Sequence, residues 1–247
     1  MFKHILVLFL GAAMVCLALG VGWAGEDVLT ISTSYKSLLS NPEHTGMLDQ
    51  LIQEAFRRLG RRVEFVFTPT QRSLPDVNSG LLDGEINRIA GLERTYPNLV
   101  MVPEPNMTMH FVAFAKKTRR VEGWESLRDL QVGLVRGWKI LEENTKGFPH
   151  VTLAPTETEL FAMLQKDRLD VALYDKLTGY EQLGQLGRTD IRSLEPPLAS
   201  RDMYLYLHKK HEGLAGAAAG ALKEMKADGS YDRIVAEATS HLRVDVK

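Results

Sequence analysis

The sequence predicts an α/β protein divided into two lobes, each a mostly parallel sheet flanked by helices, with two crossings between them. Three observations carry that reading. From Val28 onward, short β-type runs alternate with amphipathic helical runs, the pattern of parallel strands covered by helices. Two polar stretches, Lys116–Arg120 and Glu195–Ala199, bracket about 80 residues, enough for an inserted lobe with its own core. Apolar residues make up 45% of the chain and charged residues 25%, so a globular interior is expected rather than disorder. The expected division is a leader at 1–24, a first lobe at 26–115 and 200–247, and a second lobe at 116–199.

Taken in order, Val28–Thr33 reads as a strand because it is rich in β-branched residues. Met47–Leu59 places Met47, Leu48, Leu51, Ile52, Ala55, Phe56 and Leu59 at helical spacing, with Gly60 as its stop. Val63–Phe67 returns to strand. Thr70–Ser79 is helical up to Gly80, and Pro75 within it predicts a kink or a broken first turn. Glu85 and Ile86 form a short third strand, followed by strands at Leu99–Val102 and Phe111–Ala115. The series continues with strands at Gln131–Val135, Val151–Leu153, Val171–Tyr174 and Met203–Leu207. Helices are expected at Ile140–Asn144, Glu157–Lys166 and Lys176–Gln185. Glu212–Ala238 reads as two helices divided at Asp228-Gly229.

Lys3 is the one charged residue before Glu26, and Ile5–Leu19 is almost wholly apolar. With Gly22 and Ala24 flanking Trp23, this predicts a secretory leader cleaved near Ala24; an uncleaved anchor is the alternative. Cys16, the single cysteine, follows Val15, so lipid attachment is disfavoured and the exported chain would carry no disulfide. The formal net charge is −1 and no stretch gathers the cations, which excludes a nucleic-acid partner. The histidines are scattered and no Gly-rich phosphate loop occurs, so neither a metal nor a cofactor is expected.

Ligands of open α/β sheets bind beyond the carboxyl ends of strands. Here those ends carry Ser32, Thr33, Ser34 and Tyr35, then Asn87 and Arg88, then Arg136, Gly137, Trp138 and Lys139, and lastly Asp175. Hydroxyls, aromatics, cations and one carboxylate suit a zwitterion or a carboxylate-bearing ligand. A guanidinium grips a carboxylate through two parallel bonds, and Asp175 is placed for an ammonium. Each charge-assisted bond contributes about 1.5–3 kcal/mol. The candidate ligand contacts are Tyr35, Arg72, Arg88, Trp138, Lys139 and Asp175. Several have a second reading: Arg88 as a surface ion-pairing residue, Arg72 and Lys139 as solvated helix residues, Trp138 as the cover of an apolar patch, and Asp175 as the N-cap of the following helix.

Four segments, in order along the chain, resemble the periplasmic solute-binding proteins of amino-acid ABC transporters, family 3 of the extracellular binding proteins. They are Ser79–Leu99 (SGLLDGEINRIAGLERTYPNL), Gln131–Asn144 (QVGLVRGWKILEEN), Arg168–Glu181 (RLDVALYDKLTGYE) and Met225–Ile234 (MKADGSYDRI). The resemblance implies the type II periplasmic binding fold and a monomer that captures an amino acid or small carboxylate by lobe closure. It also implies delivery to an ABC permease of the inner membrane, without catalysis. The ligand's amino group would fall to Asp175. The chain departs from the family at Asn87-Arg88-Ile89-Ala90, where Ser or Thr residues and a later arginine are usual. It departs again at Trp138-Lys139, where a Thr is usual. Two other functions share the fold: a dehydratase- or lyase-like periplasmic enzyme using Glu85 or Asp175, and a ligand sensor acting on a signalling partner.

Overall fold

The computed structural model describes residues 28–242. The leader expected at 1–24 lies outside the described residues, as do the ends of the first lobe. In chain order the elements are β1 (Val28–Thr33), α1 (Met47–Arg58), β2 (Arg62–Phe67), α2 (Thr70–Asn78), β3 (Gly84–Arg88), β4 (Leu99–Met101) and β5 (Met107–Ala115). Then follow β6 (Val132–Val135), α3 (Lys139–Asn144), β7 (Val151–Ala154), α4 (Glu157–Gln165), β8 (Val171–Asp175) and α5 (Lys176–Gln185). The chain returns through β9 (Arg192–His208) to α6 (Glu212–Ala227) and α7 (Ser230–Thr239).

The strands hydrogen-bond in the order β2-β1-β3-β9-β5-β8-β6-β7, with β4 also on β9, and this path curls into two sheets. β1 runs parallel to β2 and β3, and β6 runs parallel to β7 and β8. Both long strands pair antiparallel with their neighbours and with each other, Met107 facing Met203 at one end and Ala115 facing Arg192 at the other. β5 and β9 therefore form the two-stranded ribbon that joins the lobes. Phe111–Ala115, expected to close the first lobe, pairs instead with β8 of the second sheet from Phe111 to Phe114. The polar run Lys116–Arg120 marks the end of the strand, and the crossing itself lies inside it. Glu195–Ala199 is likewise not a linker. It is strand, bulged so that Glu195–Leu198 stand opposite Val112 alone, which accommodates two prolines that have no N–H to give.

Packing follows the periods read from the sequence. On α1, Met47, Leu48, Leu51, Ile52, Ala55 and Phe56 are buried against Leu29, Ile31 and Ile86 of the first sheet. Gly60 ends the helix with a φ of 66° that costs a side-chain-bearing residue energy. On β5, Met107, Met109, Phe111, Ala113 and Ala115 face the core shared with the first lobe. Val112 and Phe114 face a second core with Leu160, Phe161 and Leu183. Helix α2 continues through Pro75 without the expected break, and Gln71, whose carbonyl loses its N–H partner there, is an exposed residue. No helix of the described residues is long and apolar enough to cross a membrane.

Candidate functional site

The carboxyl ends of β1, β3 and β8 converge where the ribbon joins the lobes. From the first lobe, the half-buried Tyr35 accepts a hydrogen bond at its hydroxyl from Asn87 Nδ2 at 3.1 Å. Burial raises the Tyr35 pKa, the Asn87 bond and the Arg88 charge lower it, and the charges of Glu85 and Asp175 raise it. Groups from both lobes thus surround one phenol. Behind it lies a buried polar cluster. Arg88 Nη2 is 2.9 Å from Glu85 Oε1 and donates to Ser73 Oγ at 3.2 Å, while Ser73 Oγ donates to the other Glu85 oxygen. Glu85 is fully buried, and that burial pushes its pKa up against the pull of Arg88 and Ser73.

From the second lobe, Asp175 is 1% exposed and caps α5: its Oδ1 accepts from Thr178 N at 3.0 Å and Thr178 Oγ1 at 2.9 Å. Oδ2 has no close hydrogen-bond partner; burial raises the pKa of the carboxyl, while the Thr178 bonds and the charge and backbone N–H of His110 oppose that rise. Trp138 stands at the start of α3, its ring centroid 4.8 Å from that of Tyr174 and 5.7 Å from that of Phe111.

Between these walls lies a cavity of about 290 Å³. The first lobe lines it with Ser34, Tyr35, Lys36, Ser37 and Leu39, and the ribbon with Met109. The second lobe adds Trp138, Tyr174, Thr178, Glu157, Glu181, Gln182 and Gln185. Among the described residues, a bond spans the gap from Leu38 N–H to Glu181 Oε1 at 2.8 Å. Burial raises the Glu181 pKa; the Leu38 bond and the His241 charge oppose it, and the Glu157 charge adds to it. A larger opening of about 850 Å³ along α5, reaching His241 and Leu242, shares Glu181 and Gln185 with this cavity and touches none of the candidate ligand residues.

Tyr35 and Trp138 face one another's lobes across the cavity, while Arg88 and Asp175 sit behind its two walls. Arg72 and Lys139 do not line it. Arg72 is 70% exposed and 3.7 Å from Asp76 one turn along α2, and Lys139 is 77% exposed and 2.7 Å from Glu142 on α3. In both cases a carboxylate one turn away on the same helix holds the cation at the surface. Glu157, Glu181, Asn87 and Thr178 were not among the candidates. A signal for two of them existed: Thr178 and Glu181 follow the candidate Asp175 at intervals of three residues, which stacks them on one side of α5.

This arrangement, two α/β lobes joined by a two-stranded ribbon with a polar cavity between them, defines a two-lobed binding protein of the type II periplasmic class. The family model of the bacterial extracellular solute-binding proteins, family 3, matches residues 31–240, and the chain belongs to that family. An uncharacterized protein of Shewanella oneidensis is 26% identical over 224 residues, 85% of this chain and 82% of its own length. Among solved structures, an ancestral cationic amino acid solute-binding protein superposes with a TM-score of 0.69 at 20% identity, covering 85% of this chain and 94% of that one. The substrate-binding protein of an amino acid ABC transporter gives 0.63 at 17%, covering 86% and 99%. A histidine kinase sensor domain with similarity to periplasmic binding proteins gives 0.66 at 18%, covering 85% and 94%. These likenesses establish the fold.

Proposed function

We propose that the chain is an exported receptor that closes its lobes over a small polar, amino-acid-like solute and hands it to an ABC permease. The observation that carries this reading is the cavity of about 290 Å³ whose wall is built from both lobes and from the ribbon between them. A ligand there contacts both halves at once, so binding favours the closed arrangement by whatever affinity the open one lacks. Tyr35 and Trp138 supply the contact surfaces. Asp175 orients Thr178 and α5, and Arg88 holds Glu85 and Ser73 beneath the first wall. The first lobe comprises 28–109 with 201–242, the second 111–199, and export removes the leader near Ala24. The exported chain acts as a monomer.

The test is a thermal-shift screen of small amino acids, amines and carboxylates on the exported chain, followed by titration of tryptophan fluorescence. A hit raises the melting temperature, changes Trp138 emission in wild type but not in Trp138→Phe, and compacts the protein in small-angle scattering. Recovery of the ligand at unchanged mass separates a receptor from a dehydratase- or lyase-like enzyme. The likeness to a sensor domain favours one second reading, in which the liganded form engages a signalling protein. Capture of a permease rather than a kinase by the liganded chain decides between the two.

A further inference from the structure

We infer that the bound solute is an organic cation recognised by its nitrogen end, with no carboxylate required; this rests on the receptor reading above. The charges of the wall carry the argument. Glu157 and Glu181 both line the cavity, close enough that the Glu157 charge is felt by Glu181 and by Tyr174. The one cation on that wall, Lys36, has its Nζ 4.3 Å from the centre of the Phe67 ring, so its charge is already engaged at an aromatic face. None of the other cations expected to hold an anion lines the cavity, although Arg88 keeps a buried Nε–H without an acceptor. Arg88 is offset by Glu85 at 2.9 Å, and Arg72 and Lys139 point outward to their own carboxylates. An anionic ligand would meet net repulsion here, and a cationic one attraction.

The buried polar atoms behind the walls bear on the same point. Asn87 Oδ1 and Asp175 Oδ2 are buried acceptors without a close hydrogen-bond donor. Their residues bond directly to Tyr35 and Thr178, which line the cavity, one from each lobe. Asn87 and Asp175 lie behind the walls, so they act on a ligand only through Tyr35 and Thr178. Tyr35, Trp138 and Tyr174 add aromatic surface of the kind that attracts ammonium and guanidinium groups. At about 290 Å³ the space suits a small molecule, at the lower end of the usual ~300–1,000 Å³ range.

The experiment compares each cation with and without its carboxylate: lysine against 1,5-diaminopentane, and arginine against agmatine, with glutarate as the anionic probe, all by calorimetric titration. The expected result is that at least one decarboxylated compound binds within about threefold of its amino acid or tighter, that glutarate does not bind, and that Glu157→Gln with Glu181→Gln weakens that amine about tenfold or more. A loss beyond threefold on decarboxylation in both pairs, binding of glutarate, no binding by any amine, or an unaffected double variant overturns the inference. The two substitutions are near-isosteric at rim positions, and an unchanged melting curve of the apo variant excludes misfolding as the cause. The receptor reading is scored separately: lobe closure by a neutral or acidic solute leaves it standing while sinking the cation, and a ligand that binds without compaction sinks both.

Discussion

Asp175 shows how a single side chain serves two masters. It caps α5 through Thr178, yet its second oxygen is buried without a close donor, and the burial raises its pKa. A group whose folded pKa is raised weakens the fold once pH rises through that value, because ionisation then occurs in a buried site. Asp175→Asn keeps the cap, asparagine being as good at that position, and removes the charge. The apo variant is expected to be more stable at neutral pH by about 1 kcal/mol, with the gap closing as acid protonates the wild-type carboxyl. Urea melts at pH 7 and pH 4 check both the sign and its disappearance, and ligand affinity should fall in the same variant. Asp83 has the opposite sign. Burial alone would raise it, but bonds from Lys210, from Thr30 N–H and from His211 outweigh that and hold it well below the usual carboxylate range. Asp83→Asn is therefore expected to cost about 1–3 kcal/mol at pH 7. That difference should shrink as pH falls below about 4, where the wild-type contribution is lost.

At the scale of elements, the loop before α1 is where fold and site meet. Amides at the start of α1 donate to the Leu38 and Leu39 carbonyls, from Met47 at 2.7 Å and Leu48 at 2.8 Å, while Asp49 accepts from Ser40 Oγ, Asn41 N and Gly46 N. A Cβ on Gly46 would lie 2.7 Å from the carbonyl carbon and oxygen of Leu39, backbone atoms with no freedom to yield. Gly46→Ala is expected to destabilise by about 1–3 kcal/mol, read as a melting temperature lower by roughly 2–10 °C. It should also weaken ligand binding, since the displaced loop carries wall residues. Most elements were legible because buried faces impose their periods on the sequence: 3.6 on α1, and 2 on β5. The Glu85–Arg88 pairing was not. Residues three apart on a regular strand point to opposite faces, and here a register shift against β9 sets three residues of β3 opposite two, bringing both side chains to one side. Bulges leave no periodic trace, so the sequence allowed an ion pair for Arg88 at the surface but not this buried one with Glu85. The outward turn of Lys139 agrees with its reading as a solvated helix residue, since Glu142 three residues on gives it a partner on the same helix.

For the molecule as a whole, the proposed receptor role makes the contact between Leu38 and Glu181 a point where the angle between lobes can be tested. The Leu38 N–H to Glu181 bond crosses the gap, and a neutral-to-charged bond of this kind contributes about 1–3 kcal/mol. Glu181→Ala is expected to shift the unliganded population toward open forms by at least about fivefold. Small-angle scattering would show a larger radius of gyration at unchanged melting temperature. An identical scattering curve would mean that the ribbon alone sets the angle between lobes.

That ribbon has a mechanical meaning beyond joining two bodies. Because β5 and β9 lie side by side and bond to each other along most of their length, neither lobe can swivel about a single-chain pivot. Relative motion has to strain both strands together, as a leaf spring flexes. The interruption opposite Val112 marks the weakest leaf, on the second-lobe side. Protease nicking of either strand there should leave the halves associated and the two fragments separable only in denaturant.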